Sequence, residues 1–437
     1  MSKPNSEKKN FLKDASWLFS GEMGRSVFAG LETIILARFL GLEQFGVFAL
    51  VISFVGIVNG LLDFNIHEPI VKYVGMYRER NDKEKTLSFV KFFYLVDFLS
   101  GAAAFVAAVL LAGVANEFFI KSEGAVEFVI IYSFYLLVVT VNRNSQSLLI
   151  VFQRFDTSTA LTVAAVGIRF AFVVAALALG FGIKGVLVAY VAAGFVSFLM
   201  LQFFVHRALR DEGLGGWMFA KLGAVKGEIK EVVSFTLSST YSAFVSNVFD
   251  KNIPILILGN LFGSSASGLY KTAAVFSKII GRVVTPATRA LYPALVRLDE
   301  QRSYADFRKV VSYSTKLLLK IIVPAGVVGF VFADEIIKIF FGSEYTGAAN
   351  AMRIILVAEL LSGFSFWIPS AYLALGRAWF RAFIQSGGAV LYAAALFLLT
   401  PAYALEGAAF ARFAPLAILL PMAAFLFMEI KKRERLM

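Results

Sequence analysis

The chain has 437 residues, of which 59% are hydrophobic and 16% are charged, and its mean hydropathy is +0.75. Soluble proteins carry about 25% charged residues, so this composition excludes a soluble enzyme, a disordered chain, a fibre and a nucleic-acid-binding domain, and it predicts a polytopic membrane protein. The net charge of +12, from 42 basic and 30 acidic residues, then indicates basic cytoplasmic connections rather than a nucleic-acid partner.

Twelve windows of about 20 mostly apolar residues are long enough to cross a bilayer as helices. Called spans 1 to 12, they lie at about 14–37, 44–66, 88–112, 125–145, 157–180, 183–205, 232–258, 266–291, 313–341, 349–374, 380–400 and 404–428. Helices are favoured because lipid offers no partner to unpaired backbone groups, and the windows are too long for barrel strands. A polar segment ending at Lys13 precedes span 1, and no small-residue cleavage site follows, so span 1 is predicted to be retained.

The connections between the spans differ strongly in basic charge. Lysines and arginines cluster in the connections after spans 2, 6 and 8 and in the C-terminal tail, whereas the connections on the other side offer little beyond Arg38, Lys121 and Lys184. Basic connections stay in the cytoplasm, so both termini are predicted to be cytoplasmic in a cell-membrane protein. Every connection is short, and no soluble domain is expected on either face.

Short sequence matches recur at a constant shift of 222 residues. The matched positions are Gly41 with Gly263, Gly46 with Gly268, Gly185 with Gly407, and Ala189 with Ala411. Chance matching of glycines in apolar sequence is the alternative, but the matches fall at equivalent helix junctions. They predict two parallel-repeat six-helix lobes, at 1–205 and 231–437, joined by a basic cytoplasmic linker at 206–230. Two such lobes around a central cavity describe an alternating-access transporter.

Span 8 carries four cations on one narrow stripe. They are Lys271, Lys278, Arg282 and Arg289, and at 100° per residue they fall within about 40° of one another over about 27 Å of helix. Lys271 and Arg289 could reach opposite interfaces by snorkelling. Lys278 and Arg282 are central, and together they would cost about 5–7 kcal/mol if they faced lipid. The stripe therefore predicts a polar cavity that binds an anionic group such as pyrophosphate.

Span 1 repeats this pattern with mixed charge. Glu22, Arg25 and Glu32 share one face of the helix, and Arg25 is central. Arg25 is therefore a second candidate for substrate binding. Glu22 and Arg25 are three residues apart, so a structural ion pair is the alternative.

Other charges inside the spans are weaker candidates. Arg169 in span 5 and Lys251 in span 7 are candidate substrate-binding cations, and Asp97 is a lone acid in span 3. Intramembrane acids are candidates for proton or sodium coupling, and the strongest of these are Asp250, Glu22 and Glu32. Structural pairing with the excess cations remains an alternative. With no cysteine and two distant histidines, the chain is expected to hold no metal and no cofactor beyond a coupled ion.

Two motifs resemble those of a known family. Leu36-Ala37-Arg38-x-x-Gly41 followed by Gly46-x-Phe48 resembles the opening motif of polysaccharide and O-antigen flippases, within the multidrug/oligosaccharidyl-lipid/polysaccharide exporter superfamily. The mid-chain motif of that family is similar to a second set of residues: Asp250, Gly259, Gly263, Gly268-Leu269-Tyr270, Ala273 and Tyr292-Pro293. The resemblance extends over essentially the whole chain.

The resemblance implies a flippase for a polyprenyl-diphosphate-linked oligosaccharide, in which spans 1, 2, 7 and 8 line a cationic cavity. The implied partners are that lipid-linked oligosaccharide, membrane lipids, and glycan polymerase or ligase machinery. Lipid II is disfavoured as cargo because lipid II flippases usually have an arginine where this chain has Glu32, and usually fourteen spans. The alternative is a cation-coupled multidrug antiporter of the same superfamily. A membrane enzyme is not expected, and without a P-loop ATP is not the direct driver.

Overall fold

The computed structural model describes residues 4–244 and 252–435. Within these ranges it describes the side chains except at 4–20, 22, 238–239, 242–244, 277–279, 282–283, 285–286, 289–290, 378, 382 and 435. All regular structure in the described ranges is helical, so the all-α prediction is confirmed.

The first half of the chain begins with one long helix, Pro4–Leu62, which contains spans 1 and 2 and is broken at Gly41. Gly41 has φ 72° and ψ 170°, a conformation that glycine adopts at little cost and that other residues avoid. The helices that follow are His67–Pro69, the π-helix Ile70–Val74, Gly75–Glu79, Lys83–Leu110, Ala112–Ala115, the π-helix Asn116–Ile120, Ala125–Ser133, Leu136–Val151, Phe155–Ala178, Gly182–Asp211, and the 3₁₀ turns Trp217–Phe219 and Leu222–Glu228.

The second half repeats the broken long helix. The helix Ile253–Glu300 is interrupted at Gly263, with φ 83° and ψ −179°. The other elements are Ile229–Phe244, Tyr304–Val331, Ala333–Phe340, the 3₁₀ turn Ser343–Ala348, Ala349–Phe364, Ile368–Ala374, Ala378–Phe410, the 3₁₀ turn Ala411–Phe413, and Leu416–Arg435.

Nine helical stretches within the described residues are long and apolar enough to cross a membrane. Two of them, Met23–Leu62 and Trp379–Glu434, each contain two predicted spans. The nine stretches overlap all twelve predicted spans, but Ile253–Phe276 covers only the end of span 7 and the first part of span 8, and span 7 also crosses the undescribed residues 245–251. The polytopic fold class is confirmed.

The backbone turns at equivalent positions in the two halves. Five left-handed residues of the first half have left-handed counterparts 221–223 residues later: Gly41 and Gly263, Asn81 and Arg302, Lys121 and Gly342, Gln153 and Gly376, Gly182 and Ala404. Left-handed backbone is uncommon outside glycine, so five matches are not expected by chance. The internal repeat predicted from four residue matches is therefore present in the backbone itself.

The described residues form two compact units. One contains those of 1–40 and 51–248, and the other contains those of 41–50 and 249–437. The predicted lobe and linker boundaries, at 1–205, 206–230 and 231–437, remain a prediction. The contacts show that the linker packs on the first unit and that residues 41–50 pack on the second.

The linker is held on the first unit by ion pairs and a buried ring. Nε and Nη2 of Arg78 each donate a hydrogen bond of 2.9 Å to the Glu212 carboxylate. Lys85 donates to Glu228 at 2.7 Å, and the buried ring of Trp217 stacks 4.6 Å from that of Tyr94 in span 3. Opposite charges and aromatic packing thus order a segment that its sequence predicts only as a basic connection.

Candidate functional site

Six of the ten candidate site residues lie outside the described residues or have undescribed side chains. They are Lys278, Arg282, Arg289, Lys251, Asp250 and Glu22. Their proposed roles remain predictions. The structure describes the other four candidates, namely Arg25, Glu32, Arg169 and Lys271.

Arg25 lies on the exposed face of span 1 within the first unit. The neighbouring face of the helix consists of glycines that approach span 5. A Cβ atom added to Gly21 would lie 2.9 Å from Cγ2 of Thr159, and one added to Gly24 would lie 3.2 Å from Cγ2 of Val163. This close helix contact fixes the rotation of span 1 and thereby presents Arg25 at the surface of the unit.

Glu32 and Arg169, an acid and a cation both predicted as site residues, bind each other. Glu32 is only 3% exposed, and Nε of Arg169 donates to its carboxylate at 3.0 Å. The hydroxyl of Tyr190 donates to the other carboxylate oxygen, and the Arg169 guanidinium lies 5.1 Å from the centre of the Tyr190 ring. Spans 1, 5 and 6 thus converge on one neutralised cluster. Glu32 and Arg169 therefore form the structural ion pair that the sequence left as the alternative.

Sequence reasoning missed Tyr190 in this cluster. The rings of Tyr132 and Tyr190 are 6.1 Å apart, and those of Tyr132 and Tyr135 are 5.6 Å apart, so aromatic rings enclose the pair. A buried tyrosine hydroxyl usually requires a hydrogen-bond partner. The isolated tyrosine within span 6 was the available signal, but the sequence does not show which helix supplies that partner.

Lys271 lies against two aromatic residues, Phe48 of the opening motif and Phe45 one turn before it. Its ammonium lies 4.7 Å from the centre of the Phe48 ring and 5.5 Å from that of the Phe45 ring, within the second unit. Both phenylalanines are fully buried. Cation–π attraction stabilises a cation over a ring face. Phe48 of the motif therefore helps to hold Lys271, a predicted site cation, in place.

The start of span 2 is also fixed by an acid of the second unit. The carboxylate of Glu344 accepts a hydrogen bond from the backbone N–H of Leu42 at 3.3 Å. A carboxylate at a helix N-terminus satisfies a backbone donor and complements the helix dipole. Phe45, one turn later, packs edge-on against Tyr345 at 6.0 Å. These contacts hold the rings that face Lys271.

The second unit contains an acid–arginine–tyrosine cluster of its own. Arg412 donates to Glu359 at 2.9 Å and to the hydroxyl of Tyr270 at 3.2 Å. Tyr270 belongs to the mid-chain motif, whereas Arg412 was absent from the predicted site. Its charge inside span 12 was the signal that could have indicated it. Within the described ranges, no group of three or more acidic or histidine side chains is arranged to hold a metal ion.

Comparison with known proteins places these features in a family context. The model of the family described as "Polysaccharide biosynthesis protein" matches residues 35–350. A Shigella flexneri protein named for O-antigen transport is 23% identical over 427 residues, which cover 92% of this chain and 93% of that protein. Agl15 of Haloferax volcanii, named as a low-salt glycan biosynthesis flippase, is 26% identical over 37% of this chain and 34% of its own length.

Two solved structures share the fold over nearly the whole chain. The inward-facing structure of a multidrug resistance MATE family transporter of the MOP superfamily matches with a TM-score of 0.76 and 15% identity, covering 94% of this chain and 96% of that one. The lipid II flippase MurJ, in its inward closed conformation, matches with a TM-score of 0.72 and 15% identity, covering 95% of this chain and 87% of MurJ.

Proposed function

This chain belongs to the polysaccharide biosynthesis protein family, and we propose that it is a flippase that moves a polyprenyl-diphosphate-linked oligosaccharide from the cytoplasmic to the outer leaflet of the cell membrane. The observation that carries the proposal is the end-to-end match with a protein named for O-antigen transport, over 92% of one chain and 93% of the other. In this proposal the protein is a transporter and not an enzyme.

The diphosphate of the substrate would bind the cations predicted to line the cavity. Arg25 of span 1 and the stripe Lys271, Lys278, Arg282 and Arg289 of span 8 supply positive charge at successive depths of the membrane. A diphosphate offers several charged oxygens, and such groups form strong charge-assisted hydrogen bonds with lysine and arginine. Lys251 is a further proposed member. Arg169 would reach substrate only if its pair with Glu32 opened.

Alternating access by two similar halves would carry the bound headgroup across the membrane while the lipid tail stays among the helices. The recurrence of left-handed turns in both halves supports this reading. We place both termini in the cytoplasm and expect coupling to protons or sodium through Asp250, Glu22 or Glu32. Glycan polymerase or ligase machinery would act next on the exported substrate.

The decisive experiment deletes the gene in its host and complements it with variants. K278A/R282A and R25A should lower surface glycan by at least tenfold at normal membrane levels of the protein, because the diphosphate would lose its charge partners. K184A is the matched control, since Lys184 forms an exposed ion pair with Glu127. Full glycan export by K278A/R282A would contradict the proposed binding site.

The alternative, a cation-coupled multidrug antiporter, is favoured by the fold similarity to the MATE transporter. It predicts that the deletion strain gains drug susceptibility while its surface glycan is unchanged. It also predicts that transport depends on acids such as Glu32 rather than on the cations of span 8. Measuring glycan and drug susceptibility in the same deletion strain separates the two functions.

A further inference from the structure

Span 4 carries a run of polar residues that the proposed substrate site does not use. The run extends from Thr140 to Ser147 in the helix Leu136–Val151, and four of its polar side chains are buried: Thr140, Asn144, Ser145 and Ser147. Buried polar groups inside a membrane helix are costly, and those that persist are commonly functional. This face of span 4 lies against span 3.

The residue that this face meets in span 3 is Asp97. Asp97 is 3% exposed, and the amide of Asn144 faces its carboxyl group. Neither polar atom of that amide makes a hydrogen bond of good geometry to any described residue. The hydroxyls of Ser100 and Thr140 donate to the Asp97 backbone carbonyl at 3.1 and 3.3 Å. These two hydroxyls bind the backbone of Asp97, so among the described residues Asn144 is the polar side chain that faces its carboxyl group.

Asp97 differs in this respect from the other acids discussed in the first unit. Asp63 is paired with Arg143 and Glu32 with Arg169, whereas no lysine or arginine among the described residues contacts Asp97. Tyr94, one turn earlier on the same helix, is the titratable group nearest to it in sequence. The charged and titratable groups on the elements packed against span 3 are engaged elsewhere or exposed: Arg143, Lys72, Tyr73, Tyr77, Arg78, Glu79, Lys226, Glu228, Glu127 and Tyr132.

We propose that Asp97 is a proton-binding site of the transport cycle, a proposal that rests on the proposed flippase function. Burial without a cation disfavours the charged form of a carboxyl group, so protonation is the direct way to neutralise Asp97. The amide of Asn144 can accept a hydrogen bond from the protonated carboxyl group or donate one to the ionised group. Asp97 can therefore change charge without losing its partner.

A series of polar contacts extends from Tyr94, one turn before Asp97, toward the predicted cytoplasmic end of span 6. The hydroxyl of Tyr94 lies 3.0 Å from Oγ of Ser145, which also accepts from Nε2 of Gln202 at 2.9 Å. His206 follows one turn later, and its Nδ1 lies 3.0 Å from the Gln202 carbonyl oxygen. These polar groups lie between the level of Asp97 and the predicted cytoplasmic end of span 6, in an otherwise apolar bundle.

A proton fits this site better than a sodium ion. Sodium requires several oxygen ligands directed at one point, whereas the hydroxyls of Ser100 and Thr140 are directed at a backbone carbonyl. Glu32 is a weaker candidate because Arg169 already neutralises its charge. The inference therefore adds Asp97 of span 3 to the proposed coupling acids and places it ahead of Glu32.

Infrared titration of the full-length protein in liposomes tests proton binding without any transport. The difference between the wild-type and D97N spectra should contain a protonated-carboxyl band that grows on acidification, because subtraction removes the bands of the acids that both proteins share. E127Q is the matched control that should keep this band, because Glu127 is exposed and ion-paired with Lys184. A D97N spectrum that titrates like wild type would overturn the proposal. Gel filtration of D97N establishes that the variant is folded, since asparagine keeps the shape of aspartate.

Two further measurements assign the ion and its role. A carboxyl titration that shifts when sodium chloride replaces choline chloride would assign the site to sodium and overturn the proton assignment. In cells, collapse of the proton gradient should lower surface glycan in wild type, whereas D97N should lose this dependence. Dependence that persists in D97N would exclude Asp97 from coupling. The infrared titration needs no transported substrate. It would therefore still test proton binding by Asp97 if the protein proved not to be a flippase.

Discussion

Gly46 and Gly268, which are 222 residues apart, meet so closely that a Cβ atom on Gly268 would lie 3.3 Å from Cα of Gly46. The contact is reciprocal, because a Cβ on Gly46 would lie 1.9 Å from the carbonyl oxygen of Ser264 and one on Gly268 would lie 3.0 Å from that of Leu42. Ser264 is the repeat counterpart of Leu42. The first turns of spans 2 and 8 therefore pack directly against each other within the second unit. The glycine of each span faces the backbone at the start of the other.

Gly46→Ala should destabilise the protein because the new methyl group meets backbone that cannot rotate away. We expect a loss of about 1–3 kcal/mol, the usual cost of overpacking. G268A should cost less, since its nearest atoms lie at 3.0 Å or beyond. The measurement is thermal unfolding of the purified variants in detergent.

Gly167→Ala is the control for this prediction. Gly167 lies inside the helix Phe155–Ala178, and a Cβ atom there would meet nothing within 4 Å. G167A should be neutral or stabilising by up to about 1 kcal/mol, because alanine is the better helix former. An equal loss in G46A and G167A would show that the contact with Ser264 is not the cause.

Separating Glu32 from Arg169 should destabilise the first unit strongly. E32Q and R169M each leave one buried charge without its partner, which typically costs about 3–5 kcal/mol. The double variant E32Q/R169M should recover much of that loss, because no unpaired charge remains. Thermal unfolding of the wild type, both single variants and the double variant gives the coupling free energy.

Lys184 and Glu127 provide the exposed control pair. Their side chains are 58% and 53% exposed, and pairs of this kind contribute about 0–1 kcal/mol. The same cycle with K184M and E127Q should therefore show little coupling. Comparable coupling in the two cycles would mean that burial does not strengthen the pair of Glu32 and Arg169.

The ion pairs of Glu228 in the linker and of Glu231, which directly follows the linker, should make stability depend on pH. The pKa of Glu231 lies below its ordinary value of 4.5 because Lys72 and Tyr73 donate hydrogen bonds to its carboxylate. For Glu228, burial raises the pKa, but the hydrogen bonds from Lys85 and a tyrosine lower it by more. A lowered carboxyl pKa gives stability that is present above 4.5 and is lost as the pH falls through the folded-state value.

The test compares thermal unfolding of wild type and E228Q/E231Q across this window. Wild type should be the more stable at about pH 7, and the difference should close as both carboxyl groups become protonated. Lys72 sets the opposite limit, because Glu231 raises its pKa above 10.5 and its contribution is lost only as the pH rises past that value. A difference that stays constant on acidification would contradict this account.

Ala404→Gly should stabilise the turn between spans 11 and 12. Ala404 has φ 47° and ψ −123°, a backbone conformation that costs a non-glycine residue about 1–2 kcal/mol. Its repeat counterpart in the first half is Gly182, with φ 57°. A404G should therefore raise the unfolding temperature, and G182A should lower it.

Ala393→Gly is the matched control for Ala404→Gly. Ala393 is half-buried in the same helix, so the same change there should cost about 0.5–1 kcal/mol. Destabilisation of both variants to the same extent would show that the left-handed conformation of Ala404 carries no strain.

The candidate site was predicted less completely than the fold. The spacing within span 1 places Glu22, Arg25 and Glu32 on one face, but the partner of Glu32 is Arg169, 137 residues away. The stripe of span 8 predicts Lys271 as a site cation, but not the two phenylalanines that face its ammonium. Helical periodicity locates a charge on a face and leaves open which helix that face meets.

The amino-acid sequence by itself determined the spans, their helical nature and the repeat, because the length of an apolar run and the glycines that interrupt it act locally. Tertiary structure alone decided which buried charges are neutralised. Glu32 and Asp97 look alike as acids inside apolar spans, yet among the side chains that the structure describes an arginine pairs with Glu32 and none with Asp97. The free energy of a charge in a low-dielectric interior depends on partners a few ångströms away, and the packing of helices distant in sequence selects those partners.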